Sequence, residues 1–145
     1  MNPAAANHPD VRIVNPGGRR ELVMIVDDEE SVTLLAERVL TDAGYRVVTA
    51  RDGFRAVEIF RKLQAEVQLV ILDFVMPIMD GAAVFRELRR INPRLPVVII
   101  SGFISRDKLD AILGEGLCGF FPKPLAPVKL LLNVRSALDA ARDPA

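Results

Sequence analysis

The chain has 145 residues, half of them hydrophobic, and its 19 Lys and Arg balance 19 Asp and Glu. That is enough chain to bury one core, and the balance excludes the basic excess of a nucleic-acid or anionic-membrane binder. With a single cysteine and a single histidine, an internal disulfide, a Cys-based zinc cluster, a Ser-His-Asp triad and a His-ligated metal all drop out, and a reducing, cytoplasmic setting is the natural reading.

Residues 1–20, MNPAAANHPDVRIVNPGGRR, mix Pro, Asn, Gly and Ala without periodicity and are predicted to be a disordered arm. Regular patterning runs from 21 to 142. LVMIV (22–26) is a short apolar run closing on Asp27-Asp28, as a buried strand would. Residues 29–44 follow with Val32, Leu35, Val39 and Leu40 at helical spacing and Gly44 as the stop. YRVVTA (45–50) is a second strand, and 53–64 a second helix through Val57, Phe60 and Leu63. LVILD (69–73) is the third strand; Asp80-Gly81 then opens a helix over 81–92. LPVVIIS (95–101) leads to a helix over 105–113, and CGFF (118–121) to a closing helix over 126–142. No apolar run approaches the roughly 20 residues that span a bilayer, and the polar start lacks a signal peptide's apolar core.

Five short apolar strands alternating with five helices predict an α/β fold. The expected form is a doubly wound, five-stranded parallel sheet in the order 2-1-3-4-5, covered by helices on both faces. Ligands in such sheets bind at the carboxyl ends of strands, near the switch in strand order. Those ends carry Asp27-Asp28, Asp73, Ser101-Gly102 and Lys123-Pro124. Each has a plain reading alone: an Asp before a helix is a cap, Ser-Gly and Lys-Pro are ordinary turn pairs. Cys118 reads as a small core residue, and one of Phe120 and Phe121 should face the core.

Taken together the strand ends say more. Carboxylates brought to one edge raise each other's pKa unless a cation neutralises them. An oxygen-only set suits a hard divalent ion such as Mg²⁺. Lys123 and Ser101 can hold the outer oxygens of a phosphoryl group, and an Asp carboxylate can accept one as an aspartyl phosphate. Asp73, stranded at the end of an apolar run, is the acceptor on this reading.

At this point the sequence resembles a receiver domain of the bacterial response-regulator family over residues 21–142. VDDEE matches the acidic pair, LDFVMPIMDG the phosphorylation motif, ISG the hydroxyl strand end and FPKP the Lys-Pro end. The resemblance implies Asp73 as phosphoacceptor and Mg²⁺ held by Asp28, Asp73 and the backbone carbonyl of Val75, with Asp27 assisting through water. Ser101 and Lys123 would bind phosphoryl oxygens. The Lys123–Pro124 bond would be cis. The donor would be a phosphohistidine on a histidine kinase or histidine phosphotransfer protein, or a small phosphodonor. Phe120 would be the switch aromatic, coupling phosphorylation to a protein-binding face on helix 4, strand 5 and helix 5. A downstream protein, or a second copy of the chain, would read that face. The resemblance implies no enzyme beyond promotion of its own phosphorylation and slow autodephosphorylation. Val75 and Phe103, both apolar, would flank the path of hydrolytic water. The chain ends after the fifth helix, from which output through protein contact is expected.

Two other functions compete. An aspartyl-nucleophile phosphatase would want a second Asp two residues after the acceptor, where Val75 stands. A receiver fold kept only for docking would have no need of the full set of site residues.

Overall fold

The computed structural model describes residues 11–142. Strands and helices alternate as β1 (Leu22–Val26), α1 (Glu30–Asp42), β2 (Arg46–Ala50), α2 (Gly53–Leu63), β3 (Val67–Asp73), α3 (Gly81–Ile91), β4 (Val97–Ser101), α4 (Arg106–Gly114), β5 (Gly119–Pro122) and α5 (Pro127–Arg142). The strands form one sheet in the order β2-β1-β3-β4-β5, every pairing parallel. That is the expected fold and order.

Side chains alternate across a strand, so each apolar strand feeds two cores. On one face Met24, Val26, Val70, Leu72, Val97 and Ile99 pack with Phe60 of α2 and with Phe85 and Leu88 of α3. On the other, Val23, Ile25, Leu69, Ile71, Val98 and Ile100 pack with Leu40 of α1 and with Leu130, Val134 and Leu138 of α5. The helices start where short polar side chains can cap them. Asp52, Asp80 and Ser105 accept from Arg55, Ala83 and Lys108 backbone N–H groups at 2.8, 2.9 and 3.3 Å. Midway along α5, Arg135 pairs with Glu21 at 2.7 Å. Its hydrogen bonds hold the Glu21 carboxyl below the ordinary value, tying the closing helix to the start of the sheet.

Two expectations need correction. The predicted disordered arm over residues 1–20 is ordered in its second half. Val11 and Ile13 are buried in the core, and Val14 pairs antiparallel with Val47 through N–H···O bonds of 2.8 and 3.1 Å. The reason is visible in VRIV: apolar residues two apart present one buried face when the segment runs extended. Residues 1–10 lie outside the described residues. Cys118 is exposed rather than in the core, because it precedes β5, the edge strand, where no further strand covers it. Among the described residues, no helix is long and apolar enough to cross a membrane.

Gly81 sets how closely α3 approaches β3. Its N–H donates to the Phe74 carbonyl at 2.8 Å, and a Cβ there would sit 2.6 Å from Phe74 Cα and 2.7 Å from the Asp73 carbonyl oxygen. Those are backbone atoms at the end of β3, so relief requires moving the strand end. Gly81→Ala should therefore cost about 1–3 kcal/mol in a urea unfolding experiment. A loss within 0.5 kcal/mol, the ordinary range for surface changes, would mean that the strand end yields.

Candidate functional site

The carboxyl ends of β1, β3 and β5 meet at one edge because β1 and β3 flank the switch in strand order. Asp73, last in β3, is 2% exposed. Its Oδ1 accepts from the Val75 N–H at 3.2 Å, and its Oδ2 from Lys123 Nζ at 3.2 Å. Asp27, immediately after β1, is fully buried. Its Oδ1 accepts from the Glu29 N–H at 2.8 Å. Its Oδ2 lies 3.0 Å from Lys123 Nζ as an ion pair, without a well-directed hydrogen bond. Lys123 follows β5; its N–H donates to the Ser101 carbonyl at 2.9 Å, and its bond to Pro124 is cis, as the resemblance implied.

The electrostatics follow from burial. Desolvation, and then the negative charge of Asp27, push the Asp73 carboxyl up to about 6, against the pull of Lys123. Burial works against the Lys123 ammonium, yet its hydrogen bond to Glu29 and the close negative charges of Asp27 and Asp73 outweigh that and raise it. Lys123 is the cation that makes this carboxylate cluster tolerable.

The structure brings together Asp27, Asp73 and Lys123 among the sequence-predicted residues, and adds one that was missed. Glu29 reaches Lys123 Nζ at 2.8 Å, and the group of carboxylates with oxygens within 4.8 Å of one another is Asp27, Glu29 and Asp73. Asp28 is exposed and stands outside that group. The signal for Glu29 was the third acid in the run Asp27 to Glu30, which helix capping alone does not require. A buried carboxylate oxygen lacking a directed hydrogen bond and a set of hard oxygen donors fit a Mg²⁺ ion.

Ser101 is buried at the end of β4, and its hydroxyl is engaged within its own loop. Oγ donates to the Phe103 carbonyl at 2.8 Å and accepts from the Phe103 N–H at 3.2 Å. Phe120 is half-buried against the core on the edge strand. Val75 and Phe103 are 62% and 82% exposed.

The family description "Response regulator receiver domain" matches residues 23–135. The chain is 33% identical to the sensor kinase CckA of Brucella abortus over 137 residues, 94% of this chain and 14% of that protein. It is 36% identical to the probable transcriptional regulator ycf27 of Porphyra purpurea over 125 residues, 85% of this chain and 49% of that one. It thus spans half or less of these relatives. Among solved structures it resembles a chain of the CheX-CheY-BeF3-Mg complex from Borrelia burgdorferi. That likeness has a TM-score of 0.77 and 28% identity, and covers 85% of this chain and 97% of that one.

Proposed function

We propose, for a chain that belongs to the response regulator receiver domain family, that Asp73 is its phosphoacceptor and that Mg²⁺ assists the transfer. The family places the chain in two-component signalling as a phosphoacceptor domain. The observation that carries the assignment of Asp73 is its position: a buried carboxylate at the switch in strand order, with one oxygen on Lys123 Nζ at 3.2 Å.

In the proposed reaction an Asp73 carboxylate oxygen attacks the phosphorus of a phosphohistidine on a histidine kinase or phosphotransfer protein. The new O–P bond forms as the N–P bond breaks, and the electron pair stays on the imidazole nitrogen, which takes up a proton. Acetyl phosphate would react alike, releasing acetate. The protein's task in such a transfer is positioning and charge stabilisation. The Val75 N–H orients the carboxylate through Oδ1. Lys123, close to both Asp27 and Asp73, would stabilise the transferred oxygens, and Ser101 would join it by releasing its bonds to Phe103. Asp73, the Val75 carbonyl and Asp28, which is exposed in this structure and would turn in to join them, would hold Mg²⁺, with Asp27 assisting through a water. Bound Mg²⁺ would neutralise charge on the carboxylates and the phosphoryl oxygens. A relative solved with BeF3 and Mg, as its description states, supports this.

Output would pass through α4, β5 and α5 to a downstream protein or to a second copy of the chain. Phe120 stands half-buried on β5, while Leu113 on α4 and Val128 and Leu132 on α5 leave apolar side chains exposed. When Ser101 turns toward the phosphoryl group, Phe120 would move inward and this face would change.

The test is intact mass after incubation with acetyl phosphate and Mg²⁺. Wild type should gain one phosphoryl group and Asp73→Asn none; a gain by both proteins would move the acceptor elsewhere, and a gain by neither would remove the function. Persistence of the phosphoryl group is a separate expectation. Val75 and Phe103 are exposed apolar side chains that cannot orient a hydrolytic water. A Val75→Asn, Phe103→Glu double variant should lose its phosphoryl group faster by on the order of tenfold. Equal decay rates would show that these side chains do not guard the path.

A further inference from the structure

We infer that Glu29 is a resting-state latch on Lys123, a positioning residue that occupies an N–H donor an incoming phosphoryl group would use and so sets how readily the site accepts one. The inference rests on the reading of Asp73 as acceptor.

The Lys123 ammonium, with its three N–H donors, is enclosed by three carboxylates: Glu29 and Asp73 accept hydrogen bonds from it, and Asp27 is held by charge. Nζ lies 2.8 Å from Glu29, 3.0 Å from Asp27 and 3.2 Å from Asp73. A phosphoryl oxygen that needs this ammonium must displace one of them. Asp27 is fully buried, and stripping it of its cation would leave a charge unpaired away from water. Asp73 is the reacting group itself. Glu29 is different, because its side chain is 56% exposed and water can take over its charge at little cost. It is the partner able to leave.

The local backbone gives an independent reason to think the side chain is committed to Lys123. Glu29 stands at the N-cap of α1, but its carboxylate makes no cap hydrogen bond. Short Ser, Thr, Asp and Asn are preferred there because they can reach the free N–H groups of the first turn. Glu29 instead crosses to a residue 94 positions away. Asp27 receives the Glu29 N–H at 2.8 Å, which pins the backbone beneath the latch, and the positive end of α1 favours a negative charge there. The segment is thus built to present this carboxylate to Lys123.

The discriminating variants are Glu29→Gln and Glu29→Asp. Gln removes the charge, while Asp keeps the charge but shortens the side chain by one methylene, too short for the 2.8 Å contact. With acetyl phosphate and saturating Mg²⁺, both should be phosphorylated about two- to five-fold faster than wild type, the range an ion pair with one exposed partner supplies. In the resting protein without phosphodonor, the Lys123 ¹⁵N ammonium signal should shift in both variants and its protons should exchange faster with water. Mg²⁺ affinity in the absence of phosphate, followed by backbone amide shifts, should stay within about two-fold.

Acceleration in Glu29→Gln alone would assign the effect to bulk charge and overturn the latch. An unmoved Lys123 signal, or slower phosphorylation, would overturn it too. A tenfold or greater loss of Mg²⁺ affinity would make Glu29 a metal ligand instead. If no protein in the series takes up phosphate yet the Lys123 signal shifts, the contact stands and the acceptor reading fails; that pattern separates the two.

Discussion

Lys123→Met should destabilise the metal-free protein by about 3–5 kcal/mol at pH 7.5, the cost of leaving buried charges without their partner. Lys123 is the cation shared by Asp27 and Asp73, at 3.0 and 3.2 Å, and both acids are buried. Met keeps most of the volume and the apolar stem, so the loss reports charge rather than a cavity. The sign of its pH dependence follows. Without the ammonium, Asp73 binds a proton still more tightly than its present value of about 6, so lowering the pH neutralises this carboxylate in the variant first, and the difference from wild type should shrink as pH falls from 7.5 through about 6 and then level off. Adding Mg²⁺ at pH 7.5 should recover part of the loss if a cation is what the site lacks. Urea unfolding across this range checks both points; a loss that is independent of pH and of Mg²⁺ would assign Lys123 a packing role only.

Asp73→Asn should do the opposite. The carboxyl is raised from 3.8 to about 6 by burial and by Asp27, so the folded state holds its proton more tightly than the unfolded chain does. Stability associated with this group is fully present below about pH 4 and is lost as pH rises through about 6. A neutral amide does not pay that cost at pH 7.5. The variant should be more stable there by about 1–3 kcal/mol, the upper end being the full displacement at about 1.4 kcal/mol per pH unit. The gain should fade at pH 5 and vanish near pH 4. Measured in chelator, a destabilised variant or a gain that persists at pH 4 would contradict this account. The same substitution removes phosphate acceptance, so stability and function are opposed at this one side chain, as sites that gather like charges require.

How much of this was legible beforehand can be followed residue by residue. LVMIV, LVILD and LPVVIIS are apolar on both faces, and that pattern is enough to demand a covered parallel sheet. Asp73 at the end of such a run could be picked out because an apolar strand has no use for a carboxylate. Lys123 and Ser101 were legible only through the strand order, which carries positions 50 and 28 residues from Asp73 in the chain to the same edge. Glu29 was legible only as one acid more than a helix cap requires; its partnership with Lys123, 94 residues along the chain, was not. Val11 and Ile13 were hidden by the Asn, Pro and Gly around them, which are signals of irregular chain and say nothing of whether that chain is packed.

By itself the sequence determined the elements, their succession along the chain and the strand ends that carry the chemistry, because hydrophobic periodicity and turn residues act over a few neighbouring positions. Only the tertiary structure decided which acids share the Lys123 ammonium, that Ser101 is bonded to Phe103 rather than aimed at Asp73, that Cys118 faces solvent on an open edge, and that residues 11–14 close over the core. Those outcomes depend on distances between side chains far apart in the chain and on what covers each face. No local pattern encodes either; packing sets both.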